Sequence, residues 1–191
     1  MDTTTSTSQP PSAVRDIPPF SSVPRDASIG DATGGAALLA VAFGAGGLKE
    51  AGEFLAGAAL PGSTSLHAAP AATPAILGQL QRDLGLAMVG VRILLAGPEA
   101  DVYAARAVAL GSGAVDSELL LRVTGASERR VYCPHCAATT TAEVGIGGIL
   151  DCSGCSRSLA VYHHFSRSTA RYLGFMADAE DARSPAMDVA A

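Results

Sequence analysis

The stretch YCPHCAATTTAEVGIGGILDCSGC, residues 132–155, carries the strongest structural signal in this sequence of 191 residues. It contains all four cysteines as two C-x-x-C pairs separated by fifteen residues. This spacing is typical of a zinc ribbon, because each pair fits one tight turn that presents two sulfurs to a shared ion. The sequence therefore predicts a metal site whose ligands are Cys133, Cys136, Cys152 and Cys155.

The residues around the cysteine pairs fit the strands of such a ribbon. Residues 139–144 and 149–151 are expected to form a hairpin around the glycine-rich turn at 145–148. Residues 157–163 are expected to continue as a further strand. We place the complete module at residues 125–176, where the composition changes from that of the preceding segment.

The chemistry of the four-cysteine site leaves three interpretations open. Four thiolates leave no open coordination position, so the favoured interpretation is a structural zinc ion. Iron is the alternative, because tetrahedral sulfur ligation also describes a rubredoxin-like electron carrier. A disulfide or a redox-active thiol pair is the third, although cysteines in a reducing compartment are more often ligands.

Upstream of the ribbon, residues 36–124 alternate short apolar runs with helical periodicity, as in βαβ units with a parallel sheet. The run ALLAVAF at Ala37–Phe43 is continuously apolar, as expected for a strand covered on both faces. The predicted fold class is therefore α/β, a small three-layer domain with a parallel sheet, followed by the zinc ribbon. Further strands are expected at 63–67, 88–95 and 118–123, and helices at 48–59, 76–84 and 98–111.

The two ends of the chain differ from its centre in composition. Residues 1–35 are rich in Ser, Thr and Pro and are expected to form a flexible tail, with an ordered amino-terminal strap as the alternative. Residues 177–191 are acidic and rich in Ala, which is typical of a disordered tail.

Charge and hydropathy exclude two classes of partner. The formal net charge is −5 and the sequence pI is about 5.2, which argues against nucleic-acid binding, since that requires clustered Lys and Arg. The uncharged segment 32–48 contains five glycines and barely reaches the roughly 17–25 residues of a membrane span. We identify no secretory signal peptide in the sequence, so we expect a cytoplasmic protein.

A glycine-rich turn, Gly44-Ala45-Gly46-Gly47, follows the first expected strand. In doubly wound folds a dinucleotide phosphate binds at this point, so Gly44 and Gly46 are candidate cofactor-binding residues. Lys49 stands where the G-x-G-x-x-G pattern has its third glycine. No acidic residue follows the second expected strand to hold a ribose hydroxyl, so we do not expect this chain to bind NAD(P)H on its own.

The ribbon and its flanks resemble a known family. The matching segments are YCPHC (132–136), DCSGC (151–155), SLAVYHHFSR (158–167) and YLGFM (172–176), which are similar to the small DmmA-type subunit of bacterial dimethylamine monooxygenase. Separately, LAGP at 95–98 and the helix after it resemble the last βα unit of ferredoxin-reductase NAD-binding domains. This adds Gly97 to the candidate cofactor residues, although Ala96 replaces the cysteine usual in those reductases.

The first resemblance implies membership of a multi-subunit, NAD(P)H- and O₂-dependent system that oxidatively demethylates a secondary amine. Haem or flavin chemistry would then reside in partner chains, and this chain would support assembly or electron transfer without catalytic residues of its own. The alternatives are a direct electron carrier or NAD(P)H-binding component of the same system, and an unrelated zinc-ribbon interaction module. We expect the oxygenase and reductase subunits to contact Arg167, Tyr172, Phe175 and Met176.

Overall fold

The computed structural model describes residues 35–57, 59, 62–126 and 128–178. The tails expected at 1–35 and 177–191 lie almost wholly outside these residues. The described ranges contain nine strands, three α-helices and one short 3-10 helix at Asp116–Glu118. In chain order the elements are β1 (Ala37–Phe43), α1 (Gly44–Gly57), β2 (Ser63–Ala69), α2 (Pro74–Leu86), β3 (Val91–Pro98), α3 (Glu99–Gly111), β4 (Leu119–Gly125), β5 (Glu128–Tyr132), β6 (Thr139–Glu143), β7 (Ile149–Asp151), β8 (Ser158–Ser166) and β9 (Arg171–Met176).

The first sheet is fully parallel, with strand order β2-β1-β3-β4, as the alternating pattern predicted. Side chains of β1 alternate between its two faces. Leu38 and its neighbours on one face pack with Ala51 of α1, whereas Leu39 on the other face belongs to the cluster that contains Leu80 of α2 and residues of α3. Helices therefore cover both faces, and the α/β class with a parallel sheet is confirmed.

Strand β3 begins and ends three residues later in the sequence than its apolar pattern predicted. The strand was expected to begin at Met88, but it begins at Val91, and Met88 is 83% exposed. The segment 32–48 that resembled a short membrane span instead supplies β1 and the first turn of α1 in its described part. None of the three helices in the described ranges combines the length and apolar character required to span a bilayer.

Two glycines allow α1, β1 and β3 to pack closely at the carboxyl ends of the strands. A Cβ on Gly97 would lie 2.7 Å from the Cβ of Phe43, and Gly97 also has a positive φ of 147°. A Cβ on Gly47 would lie 2.8 Å from the carbonyl carbon of Ala96. These distances are too short for any side chain, so the glycines are required by backbone packing alone.

The second sheet is mixed, with strand order β6-β5-β9-β8-β7. The β5–β6 and β7–β8 hairpins are antiparallel, and β9 lies between them, antiparallel to β8 and parallel to β5. Strands β6, β7 and β8 were expected from the sequence, whereas β5 and β9 were not. The predicted hairpin between residues 139–144 and 149–151 is wrong, because β6 pairs with β5 and β7 pairs with β8 at opposite edges of the sheet. The sheet therefore consists of two hairpins joined through one central strand.

The two sheets pack against each other through α3. The side chains of Val131, Leu159 and Phe165 on the inner face of the second sheet belong to the same hydrophobic cluster as β1, β3 and α3. The ring of Tyr103 on α3 meets the ring of Phe165 edge-on, with 5.3 Å between centroids. The apolar core is thus continuous across both sheets.

The packing of α1 can be tested with two glycines of the same helix. Gly47→Ala should lower the free energy of unfolding by about 1–3 kcal/mol, because the new methyl group would collide with the backbone of β3. Gly52 has no atom near its Cβ position, so Gly52→Ala should raise that free energy by about 0.5–1 kcal/mol. Urea unfolding measures both variants, and equal effects would contradict the close approach of α1 to β3.

Candidate metal centre

The structure brings the four cysteine sulfurs together at one end of the second sheet. All four Sγ atoms lie within 4.8 Å of one another. The Sγ atoms of Cys133 and Cys155 are 3.8 Å apart, and those of Cys136 and Cys152 are 3.5 Å apart. Zinc–sulfur bonds of about 2.3 Å in a tetrahedron place sulfurs about 3.8 Å apart, so the donor set fits a tetrahedral ion.

Each cysteine pair lies on a knuckle turn with the same backbone pattern. The N–H of Ala137 donates to the carbonyl of Cys133, and the N–H of Ser156 donates to the carbonyl of Cys152, both at 2.9 Å. Ala137 and Ser156 have left-handed φ angles of 62° and 57°. The first knuckle connects β5 to β6 and the second connects β7 to β8, so an ion on both knuckles would cross-link the two hairpins.

Contacts between the knuckles hold them at this separation. The hydroxyl of Thr140 accepts the backbone N–H of Ser153 at 3.0 Å and donates to the Ser153 hydroxyl at 3.1 Å. A Cβ on Gly154 would lie 2.7 Å from the Cβ of Ala138 and 3.0 Å from the Sγ of Cys136. The second knuckle therefore has no room for a side chain at position 154.

The electrostatics of the site favour a thiolate at Cys152. The backbone N–H of Gly154 donates to its Sγ at 3.4 Å and lowers the pKa of this thiol to about 6. Only the thiolate binds a metal ion, so this shift favours Cys152 as a ligand, whereas hydrogen bonds from the neighbouring thiols contribute to a raised pKa at Cys136. Cys133 and Cys152 are buried, Cys155 is half-buried and Cys136 is exposed, so one edge of the sulfur cluster reaches the protein surface.

The three candidate cofactor glycines lie near one another at the carboxyl ends of β1 and β3. Gly44 begins α1 with a φ of 65°, and a Cβ on Gly46 would lie 3.4 Å from the side chain of Thr124 on β4. Gly97 is buried against Phe43, so close packing of the strands accounts for it without a ligand. The expectation that this chain does not bind NAD(P)H on its own, with these glycines as the candidate residues if it did, stays a prediction.

The expected partner-binding residues divide between the two faces of the second sheet. Arg167 and Phe175 are exposed and Met176 is half-buried. Tyr172 is only 1% exposed and donates a 2.9 Å hydrogen bond to the Glu99 carboxylate, so its assignment to a partner surface is wrong. Burial, followed by the charge of Glu99, raises the pKa of Tyr172, which keeps this hydroxyl protonated as a donor.

Sequence reasoning missed two residues that shape the metal site, Thr140 and Gly154. Both lie inside the quoted cysteine stretch. Gly154 occupies the third position of its C-x-x-C pair, where the first pair has His135, and this difference between the pairs was the available signal. Thr140 is one of three consecutive threonines, and nothing local distinguishes it from its neighbours.

Comparisons with known proteins agree with the resemblance of the cysteine module. Residues 130–175 match the family described as dimethylamine monooxygenase subunit DmmA-like, C-terminal domain. The chain is also 37% identical over 94 residues to the heme-dependent oxidative N-demethylase delta subunit of Ectopseudomonas mendocina (strain ymp). This match covers 49% of the chain and 53% of the relative, about half the length of each. No solved structure matches significantly. The predicted resemblance to a DmmA-type subunit is thus confirmed.

The site predicts one tightly bound ion per chain. Elemental analysis of the full-length protein, purified without chelator, should find one zinc ion for each chain. Cys152→Ser should remove the ion and expose the amides of residues 125–176 to hydrogen exchange, because binding free energy in so small a module is also folding free energy. Metal-free protein with a fully protected second sheet would contradict this prediction.

The two knuckles differ at their third position, which permits a matched pair of substitutions. Gly154→Ala should lower stability by about 1–3 kcal/mol and weaken zinc binding, because its methyl group would collide with Ala138. His135→Ala changes the equivalent exposed position of the first knuckle and should leave both properties nearly unchanged. Zinc competition with a coloured chelator measures the difference, and equal affinities in the two variants would refute the steric argument.

Proposed function

We propose that this chain is a zinc-holding accessory subunit of a multi-subunit, NAD(P)H- and O₂-dependent dimethylamine monooxygenase. Such a complex would oxidatively convert a secondary amine to a primary amine and formaldehyde. One observation carries the proposal: the segment that matches the DmmA-like C-terminal domain is the segment whose four thiols lie within 4.8 Å of one another. The related delta subunit is named as part of a heme-dependent oxidative N-demethylase, which supports the same class of complex.

The proposed role of this chain is assembly, and the ion would serve it by cross-linking. Cys133 and Cys136 would hold the ion from the β5–β6 hairpin, and Cys152 and Cys155 from the β7–β8 hairpin. A zinc ion with four sulfur ligands supplies structural cross-linking and no open position for a substrate. We therefore assign the haem or flavin chemistry to the partner chains, and the complex to the cytoplasm.

The surface offered to the partner would be the outer face of the second sheet. Phe175 is 46% exposed there, and Leu173 and Ile149 also expose apolar side chains. Arg167 lies beside this face in the turn between β8 and β9. Exposed apolar groups combined with arginine are typical of protein interfaces, since aromatic residues, Met and Arg are enriched there.

A second candidate role is direct electron transfer within the same complex. The exposure of Cys136 favours it, because a sulfur ligand at the surface gives electrons a short path to a partner. This role requires iron in the site, with the colour that thiolate-to-iron charge transfer produces. The elemental analysis described for the metal centre therefore separates the two roles.

The assembly role predicts that two surface substitutions weaken the complex without disturbing the metal. After co-expression with the oxygenase and reductase subunits, Arg167→Glu and Phe175→Ala should each weaken assembly by about tenfold or more, as interface anchors do. Zinc content should be unchanged, since neither residue belongs to the sulfur shell. Quantitative co-purification measures the loss.

Arg82→Glu and Val115→Ala provide matched controls, because both residues are exposed and lie on the α/β side of the molecule. These two variants should assemble like the unaltered chain. If Arg167→Glu and Phe175→Ala also assemble normally and support full amine-dependent NAD(P)H oxidation, the outer face of the second sheet is not the docking surface.

A further inference from the structure

A pocket of about 430 Å³ lies in the second sheet, away from the cysteine sulfurs. Its aromatic and apolar lining residues are Tyr132, Leu173 and the almost fully buried Phe165 and Tyr172. Its polar lining residues are His164, Ser166, Thr169 and Arg171. This volume and this mixture of aromatic walls with a few polar groups are usual for sites that bind small molecules.

A bulge in strand β8 lies beside the pocket. The register between β8 and β9 shifts between Val161 and Phe165, so residues 162–164 lie opposite Leu173 alone. Such an irregularity interrupts the pairing of the two strands beside the pocket, whose lining includes His164 of β8 and Leu173 of β9.

Arg171 places a positive charge against the apolar wall of the pocket. Its guanidinium lies 4.7 Å from the ring centroid of Tyr132 and donates to the hydroxyl of Thr139 at 3.1 Å. Among the residues that the structure describes, no carboxylate lies within ion-pair distance of Arg171. Most of its N–H donors are thus available to an acceptor that enters from outside.

A second guanidinium increases the positive potential near the pocket. The pKa of Arg130 is lowered, first by burial and then by the positive charge of Arg171, and the carboxylate of Asp101 opposes this with a smaller effect. The two guanidinium groups repel each other, and the Asp101 carboxylate offsets part of this repulsion at Arg130. A carboxylate bound at Arg171 would relieve this repulsion and satisfy the planar donor pair of the guanidinium.

We propose that this pocket binds a small organic carboxylate with a flat apolar body. The carboxylate would pair with Arg171, and the apolar body would lie against Tyr132, Phe165 and Leu173. The hydroxyls of Ser166 and Thr169 would complete the polar rim. This inference does not rest on membership in a demethylase complex, although Leu173 belongs both to the pocket and to the face proposed for docking.

Three probes test the two parts of the proposed ligand separately. Phenylacetate carries both the charge and the ring, phenylacetamide carries the ring without the charge, and acetate carries the charge without the ring. In NMR titrations of the zinc-loaded full-length chain, phenylacetate should shift amide signals of residues 164–173 in a saturable manner. Phenylacetamide and acetate should each bind at least about tenfold more weakly, since a hydrogen-bonded charge and a buried ring each contribute that much.

Variants of the full chain connect this binding to the pocket. Arg171→Met should weaken phenylacetate binding about tenfold or more while phenylacetamide binding stays unchanged. Arg157→Met is the matched control, because Arg157 precedes β8 and contacts Met176 outside the pocket. Thr169→Trp should reduce binding of both aromatic probes by filling the space. Circular dichroism and zinc content show whether each variant is folded.

Several results would overturn the proposal. Equal affinity for phenylacetate and phenylacetamide would show an apolar cleft without charge recognition, and equal affinity for acetate would show a general anion site. Unchanged phenylacetate binding by both Arg171→Met and Thr169→Trp would place the binding elsewhere. If no probe saturates at millimolar concentration while Arg171→Met weakens subunit assembly, the pocket is a protein-docking surface and the proposal is wrong.

Discussion

The buried carboxylate of Glu99 is the constraint that joins the two halves of this molecule. It lies at the start of α3, where the helix dipole favours a negative charge, and it is only 4% exposed. Two of its partners come from the second sheet: Tyr172 donates to it at 2.9 Å, and Arg129 lies 3.9 Å away. Removal of one partner from a buried ion is far more costly than loss of a surface pair. The second sheet therefore stabilises the first turn of α3, because its residues Tyr172 and Arg129 compensate the buried charge of Glu99.

The contacts of Glu99 also show what covers the start of α3, beside the carboxyl ends of the parallel strands. In open α/β sheets this edge, beside the point where the strand order reverses, is the usual place for a ligand. Here β3 ends in Gly97 and Pro98, the close contact of Gly97 with Phe43 leaves no cleft between their backbones, and residues of the second sheet cover the start of α3. Close packing of the strands thus accounts for Gly97, and the expectation that no dinucleotide binds there stays a prediction.

The sequence predicted those features that depend on short segments. A continuous apolar run identified β1, and the C-x-x-C spacing identified the four thiols that the structure brings together. Features that depend on distant residues could not be predicted in this way. The burial of Tyr172 requires Glu99, which lies 73 positions earlier, and the bulge in β8 appears only when its pairing with β9 is known. The local pattern of YLGFM shows that alternate side chains share a face, but it does not show which face meets α3.

The strand order of the second sheet links the candidate metal site to the pocket and to the outer face, although the ion would contact neither of them. An ion on the two knuckles would fix the β5–β6 hairpin relative to the β7–β8 hairpin, and β9 lies between β5 and β8. A Cβ on Gly174 of β9 would lie 2.9 Å from the carbonyl of Tyr132 and 2.9 Å from the side chain of Leu159, so β9 has little freedom to shift. Leu173 in the pocket and Phe175 on the outer face flank this glycine. The position of both side chains would thus depend on a cross-link at the end of the sheet, because the strands on either side of β9 are the strands that the cysteines would hold together.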